Sequence, residues 1–158
     1  MPQSAFLFSI AGLSVTLVGF SGLISALARD AQRTPLLTYR LRQIPEMALA
    51  SALITLISLP LADSIGVPAI AIRVGSALAL AFTAAHIVFL FARARARAIP
   101  LGGSTWVFAG LVDASLLVSA IISVVTGQTA AYEWMLVFLV ARPAVAFVLA
   151  LNDVMARG

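Results

Sequence analysis

Two apolar stretches near the end of the chain decide the fold: residues 105–127, TWVFAGLVDASLLVSAIISVVTG, and residues 132–151, YEWMLVFLVARPAVAFVLAL. Each is close to the roughly 20 helical residues that cross a bilayer core of about 30 Å. The first carries Asp113 near its middle, and the second carries Arg142 directly before Pro143. A lone charge at mid-membrane costs at least ~3 kcal/mol on insertion scales. Opposite charges on adjacent antiparallel helices lower that cost by pairing, so we expect Asp113 and Arg142 to meet.

The composition is that of an integral membrane protein. Of the 158 residues, 62% are apolar and 10% are charged, whereas soluble domains carry about 25% charged residues. The mean hydropathy is +1.09. This length holds roughly five membrane-spanning helices with short loops and no separate soluble domain. We predict an all-α bundle in one transmembrane domain, with helices over residues 4–28, 46–62, 69–92, 105–127 and 132–153.

Several kinds of chemistry are absent from the sequence. There is no cysteine, which excludes disulfides and thiolate sites. The single histidine has no partner at metal-ligand spacing, and there is no phosphate loop and no paired aspartate. The arginines lack the interleaved aromatic residues of a nucleic-acid-binding face. We therefore expect no metal, no cofactor, no nucleic-acid partner and no enzymatic activity.

The arginines predict the orientation in the membrane. With five spans, the loops on one side hold Arg29, Arg33, Arg40, Arg42, Arg93, Arg95, Arg97 and Arg157. The loops on the other side hold only the acidic residues Asp63 and Glu133. Arginine-rich loops stay in the cytoplasm, so the N-terminus is predicted outside and the C-terminus inside. The use of arginine without any lysine is typical of a GC-rich bacterial genome, which favours the bacterial inner membrane.

The polar segment after the first helix has two interpretations. Residues 36–44 form a short amphipathic helix on the membrane surface, where arginines bind anionic lipid headgroups. Alternatively, the whole segment from Arg29 to Glu46 is an ordinary basic cytoplasmic loop. We predict the lipid bilayer, with anionic lipids at its cytoplasmic face, as a partner.

Small residues recur along the first helix in steps of three and four. They are Ala5, Ser9, Gly12, Thr16, Gly19, Gly22 and Ala26. Such a stripe lets another backbone approach closely, which is how helices commonly associate in lipid. We interpret Gly12, Thr16, Gly19 and Gly22 as a helix-packing face, and the competing interpretation is the polar wall of a pore.

Polar residues of the third and fourth helices complete the candidate centre. A face at helical spacing should point into the bundle, and its residues are Gly75, Ala79, Thr83 and His86. His86 lies at a depth comparable with Asp113, where it either relays protons to the carboxylate or makes one hydrogen bond. Opposite Asp113 lie Ser115, Ser119 and Ser123, which either line a pore in an oligomer or bond back to their own helix.

Short motifs in the first half of the chain resemble a group of bacterial multi-span membrane proteins. These motifs are Gly19-Phe20-Ser21-Gly22-Leu23, Arg40-Leu41-Arg42 with Glu46, Leu59-Pro60-Leu61, and Arg73 with Ser76. No activity is established for that group, so the resemblance implies only that the first helix and the basic segment after it belong together.

Asp113 and Arg142 allow three roles: a pair that fixes the register of two helices, a group lining a hydrated path, or a charge awaiting a partner subunit. The leading functional prediction is a homo-oligomeric ion or proton channel, or a small-solute transport protein, with Asp113, Arg142 and His86 at its polar centre. The alternative is a non-catalytic accessory or scaffold subunit that uses the small-residue stripe to bind a larger membrane protein.

Overall fold

The computed structural model describes residues 4–27, 34–96 and 104–155. Within these ranges the chain forms five helices and no strand: α1 (Ser4–Leu27), α2 (Pro35–Ile65), α3 (Pro68–Ala96), α4 (Ser104–Thr126) and α5 (Thr129–Met155). All five are long and apolar enough to cross a membrane. The prediction of an all-α chain with five such helices is confirmed.

The helices run up and down, and α5 contacts each of the other four. One end of the bundle contains the α2–α3 and α4–α5 turns, and we call it the Tyr132 end. The other end contains the starts of α2 and α4 and the ends of α3 and α5, and we call it the Arg40 end. Gly66 and Gly127 lie in the two turns with φ of 68° and 67°, a left-handed backbone that glycine adopts without a steric cost.

The second helix begins eleven residues earlier than predicted, at Pro35, and runs unbroken through Pro45 and Pro60. Thr34 caps it, because its Oγ1 accepts a hydrogen bond from the Leu37 amide at 3.2 Å. Proline suits the first helical position, where the missing N–H has no intrahelical partner in any case. Residues 36–44 are therefore helical, as the first interpretation predicted, but they are the continuous start of α2 and not a separate short helix. The loop interpretation is wrong for residues 35–46, and residues 29–33 fall outside the described residues.

Tertiary contacts hold this first part of α2 in the bundle. Leu37, Leu41 and Ile44 are buried against Ile24 of α1 and Ala146 of α5. Pro45 removes one backbone hydrogen bond, but the contacts on both sides of it keep the segment helical. The remaining helix bounds agree with the prediction within about four residues.

The predicted face of α3 is confirmed, since Gly75, Ala79, Thr83 and His86 are all buried. At the Tyr132 end, Arg73 is exposed and donates to the carbonyl oxygen of Val125 at 3.2 Å. Arg40, Arg42, Arg93 and Arg95 lie at the Arg40 end, whereas Arg29, Arg33, Arg97 and Arg157 fall outside the described residues.

The first helix packs with a face that mixes large and small residues. Leu7, Ile10, Ala11 and Leu17 are buried, and the hydroxyl of Ser14 donates to that of Ser51 on α2 at 3.2 Å. The small-residue stripe faces outward, and all of its members are exposed: Ala5, Ser9, Gly12, Thr16, Gly19, Gly22 and Ala26. A Cβ atom added at the three glycines would meet nothing within 4 Å. The stripe therefore makes no close helix contact within the described chain.

Candidate functional site

The structure brings Asp113 and Arg142 together as an ion pair that joins α4 to α5. Arg142 Nε donates to Asp113 Oδ1, and the side chains are 4% and 24% exposed, respectively. Arg142 lies thirteen residues after the start of α5, about 20 Å along the axis. Arg142 is therefore far from both ends of α5.

One nitrogen of the Arg142 guanidinium takes no part in the ion pair. NH1 of Arg142 is buried and has no hydrogen-bond partner among the described residues. A buried donor without a partner costs about 1–3 kcal/mol, and more when it is charged.

A cleft of about 390 Å³ lies beside the pair, in the half of the bundle toward the Arg40 end. We call it the Arg142 cleft. Four helices, α2 to α5, contribute to it, and α2 and α4 are not packed directly against each other along their described lengths. Most of its wall is apolar; the polar lining residues are Tyr39, Arg40, Gln43, Asp113 and Arg142. Phe91, Gly110 and Ala114 at its edge are exposed, so the cleft opens to the surface of the bundle.

Two polar residues of the wall are held by partners. Arg40 forms a salt bridge with Asp153 at 2.5 Å and donates to the carbonyl of Leu149 at 3.2 Å. The Tyr39 hydroxyl donates to the carbonyl of Leu90 at 3.2 Å. Gln43 is 8% exposed, and its side chain hydrogen-bonds that of Tyr39. NH1 of Arg142 is buried behind the wall, so the surface that the cleft presents is mostly apolar.

Tyr39, Arg40 and Gln43 were not predicted from the sequence to be site residues. All three lie in the segment that was predicted to be outside the bundle. The signal was present, because Thr34-Pro35 marks a helix start. Extending the helix to that point places Tyr39 and Gln43, which are four residues apart, on one face.

The structure does not join His86 to the ion pair. His86 is 6% exposed, and its ring lies 5.4 Å from that of Phe82 between centroids. Its Nε2 has no partner among the described residues, and the same is true of the Thr83 hydroxyl. No hydrogen bond or ion pair in the described part of the chain links His86 to Asp113. It is buried beside the cleft but does not line it.

The half of the bundle toward the Tyr132 end is closed. Tyr132 is fully buried and hydrogen-bonds the Ser58 hydroxyl. A Cβ atom at Gly75 would come within 3.0 Å of the Tyr132 hydroxyl, and the hydroxyls of Ser76 and Ser123 are 2.6 Å apart. We call these five residues the Tyr132 layer. These five residues close the interior on the side of the cleft that is nearer to the Tyr132 end. The cleft-lining residues nearest to them along the helices are Met47, Ile87, Leu117 and Arg142.

The serines of α4 do not form a polar face toward a pore within this chain. Ser119 donates to the backbone carbonyl of Ser115 at 2.7 Å, which is one of the two predicted arrangements. Ser123 belongs to the Tyr132 layer and is fully buried.

Charged residues near the Arg40 end connect α2 to α3. Glu46 accepts hydrogen bonds from Arg42 at 3.2 Å and from Arg93 at 3.3 Å. The Arg93 guanidinium lies 3.9 Å from the centroid of the Phe89 ring. This network fixes the two helices where the cleft has its α2 and α3 walls.

Within the described residues, no group of three or more histidine or acidic side chains could hold a metal ion. Comparisons with known protein families, with curated proteins and with solved structures found no match to this chain. The chemistry of the Arg142 cleft must therefore be inferred from its own residues.

Proposed function

We propose that this protein is a small-solute transport protein in which the Asp113–Arg142 pair forms part of the solute site. The observation that supports it is the position of the pair: it lines a cleft that opens in one half of the bundle and is closed in the other. A pair that only fixed the register of α4 and α5 would need no adjacent cavity. Solute sites of secondary transporters lie near mid-membrane, where alternating access exposes them to each side in turn.

The Tyr132 layer is suited to act as the closed gate of such a cycle. It consists of glycine, serine and tyrosine contacts between α2, α3, α4 and α5, beside the buried apolar cluster that contains Tyr132. Its hydroxyls can exchange partners as helices separate, because serine bonds readily to its own helix backbone. The arginines predict that the Arg40 end, where the cleft lies, faces the cytoplasm of a bacterial cell and anionic lipid.

Cysteine labelling tests the access that transport requires. The chain has no cysteine, so Ala109→Cys in the cleft wall and Ser123→Cys in the Tyr132 layer each introduce a single target. A membrane-impermeant maleimide applied to membrane vesicles of known orientation should label Ala109→Cys from the cytoplasmic side. Ser123→Cys should be labelled from the opposite side in a fraction of the molecules. Labelling of Ala109→Cys without any labelling of Ser123→Cys, with or without an imposed ion gradient, would contradict transport.

Flux measurements test the role of the pair itself. Asp113→Asn and Arg142→Gln should change proton or K⁺ flux in liposomes if solute movement is coupled to ions, with an entrapped pH dye as the reporter. Asp63→Asn, at an exposed position near the Tyr132 end, is the matched control. If both variants assemble normally and their ion flux is unchanged, the Asp113–Arg142 pair is not part of an ion pathway.

The predicted homo-oligomer is tested by the mass of the particle in nanodiscs, measured by native mass spectrometry. Three or more copies would favour a channel on the symmetry axis.

The exposed small-residue stripe instead favours the second candidate function, an accessory subunit bound to a larger membrane protein. Gly12→Leu and Gly19→Leu should then release that partner on mild detergent extraction. A chain that purifies alone, and is unaffected by both changes, would exclude this candidate.

A further inference from the structure

The mouth of the Arg142 cleft indicates which class of solute fits it. The exposed residues among those that line the cleft are Phe91 on α3 and Gly110 and Ala114 on α4, so the cleft opens sideways between these two helices. Building on the proposed function, we infer that the solute is an anionic membrane lipid, with one acyl chain in the cleft and its headgroup beside Arg95. The depth of the mouth, the apolar wall and the charge at the Arg40 end support this class.

The mouth lies inside the ends of its two helices. Phe91 is five residues before the end of α3, and Gly110 and Ala114 are six and ten residues after the start of α4. These positions are about 7 to 15 Å along the helix axes from the Arg40 end. With the helices across a membrane, as the proposed function requires, the mouth extends from the headgroup boundary into the acyl chains. A solute that enters here comes from the lipid phase.

The wall favours a hydrocarbon chain because its polar side chains are paired with partners in the protein. The pairs are Arg142 with Asp113, Arg40 with Asp153, and Gln43 with Tyr39. The other lining residues are apolar, and an acyl chain is as apolar as they are. A volume of about 390 Å³ is at the small end of the range of about 300–1,000 Å³ for small-molecule sites, which suits one chain better than a whole two-chain lipid.

The headgroup has to supply the selectivity, because a chain gains little free energy by moving from lipid into an equally apolar cleft. The charges at the Arg40 end favour an anionic headgroup. Among the described residues there, two carboxylates face four arginines: Glu46 and Asp153 against Arg40, Arg42, Arg93 and Arg95.

Arg95 is the arginine of this group that is placed to bind the headgroup. The other three form salt bridges, whereas Arg95 is exposed and forms none with a described residue. It lies four residues after Phe91, and therefore one turn nearer to the Arg40 end on the same face of α3. A lipid whose chain enters past Phe91 thus has its phosphate near an uncompensated guanidinium, which attracts anionic headgroups.

Native mass spectrometry of the protein released from nanodiscs tests this inference. The nanodiscs contain equal amounts of phosphatidylglycerol and phosphatidylcholine with the same acyl chains. The protein should retain phosphatidylglycerol about fivefold more than phosphatidylcholine, as expected for one uncompensated arginine near an anionic lipid. Glycerol phosphate, which has the charge without the chains, should not displace the retained lipid. Equal retention of the two lipids, or displacement by glycerol phosphate, would overturn the inference.

A pair of charge variants locates the headgroup. Arg95→Gln should abolish most of the preference for phosphatidylglycerol. Arg42→Gln removes the same charge at the same end of the bundle, but Arg42 does not line the Arg142 cleft, so this control should keep the preference. An equal loss in both variants would show that the lipid responds to net charge alone, and would also overturn the inference.

A second pair of variants tests whether a chain occupies the mouth. A Cβ atom at Gly110 meets nothing within 4 Å, so the side chain of Gly110→Leu can extend into the mouth without disturbing the helix packing. Most of the retained lipid should be lost in this variant. Gly22→Leu, at an equally open position on α1, is the control and should retain it. Unchanged retention in Gly110→Leu would contradict the inference, and the comparison of Arg95→Gln with Arg42→Gln remains decisive if Gly110→Leu does not fold.

The lipid class and transport can fail separately. Loss of the lipid preference on the unmodified chain, while Ser123→Cys is still labelled from the opposite side, would reject the lipid and keep transport. Selective retention of phosphatidylglycerol without any labelling of Ser123→Cys would keep the lipid site and reject transport.

Discussion

The two halves of the bundle are built from the same helices but differ in how their polar groups are used. In the Tyr132 layer, Ser58 pairs with Tyr132 and Ser76 pairs with Ser123. Beside the Arg142 cleft, NH1 of Arg142 has no partner among the described residues. Helices approach closely where side chains are small and their hydroxyls meet. The interior is therefore tightly packed in the Tyr132 layer, and it leaves a cleft where α2 and α4 are not packed together.

The largest expected effect comes from removing the centre of the closed half. Tyr132→Ala deletes a fully buried ring and the partner of Ser58, so we expect a loss of about 3–5 kcal/mol in the free energy of unfolding. Unfolding by SDS titration in bicelles measures this change. Phe8→Ala, at a 58% exposed position, should change the stability by less than about 0.5 kcal/mol. Similar losses in both variants would mean that the Tyr132 layer is no more tightly packed than the exposed surface of the bundle.

The next largest change in the free energy of unfolding is expected when one charge of the Asp113–Arg142 pair is removed. Asp113→Asn leaves the Arg142 guanidinium without a counter-charge, and this group cannot lose its proton. The free energy of unfolding should therefore fall by about 3 kcal/mol. Arg142→Gln should cost less, about 1–2 kcal/mol, because a carboxylate can be neutralised by a proton. The double variant removes both charges, so its loss in the free energy of unfolding should be smaller than the sum of the losses in the two single variants. Additive losses in the same SDS titration would show that the two residues are not energetically coupled.

The smallest expected changes in stability come from replacing two glycines with alanine, and the two changes should have opposite signs. At Gly75 a Cβ atom meets the Tyr132 hydroxyl at 3.0 Å, so Gly75→Ala should destabilise the chain by about 1 kcal/mol through overpacking. At Gly12 a Cβ atom meets nothing within 4 Å, so Gly12→Ala should stabilise by about 0.5 kcal/mol through helix propensity. Two changes of the same sign would contradict the contrast between the closed interior and the exposed stripe.

Several features of this protein follow from the sequence by itself. Five apolar stretches of membrane-spanning length give five helices, because length and hydropathy are local properties that no tertiary contact has to supply. The meeting of Asp113 with Arg142 follows from the high cost of a lone charge at mid-membrane. The buried face of α3 follows from the helical period.

Other features were decided only by the tertiary structure. The start of α2 at Pro35 depends on Leu37, Leu41 and Ile44 packing against α1 and α5, which the polar composition of that segment concealed. The same error kept Gln43 out of the predicted site. Which face of α1 points inward was also unreadable, because lipid and protein interior are equally apolar. Hydropathy therefore identifies helices that are long and apolar enough to cross a membrane, whereas the fit of side chains between neighbouring helices decides which face is inside.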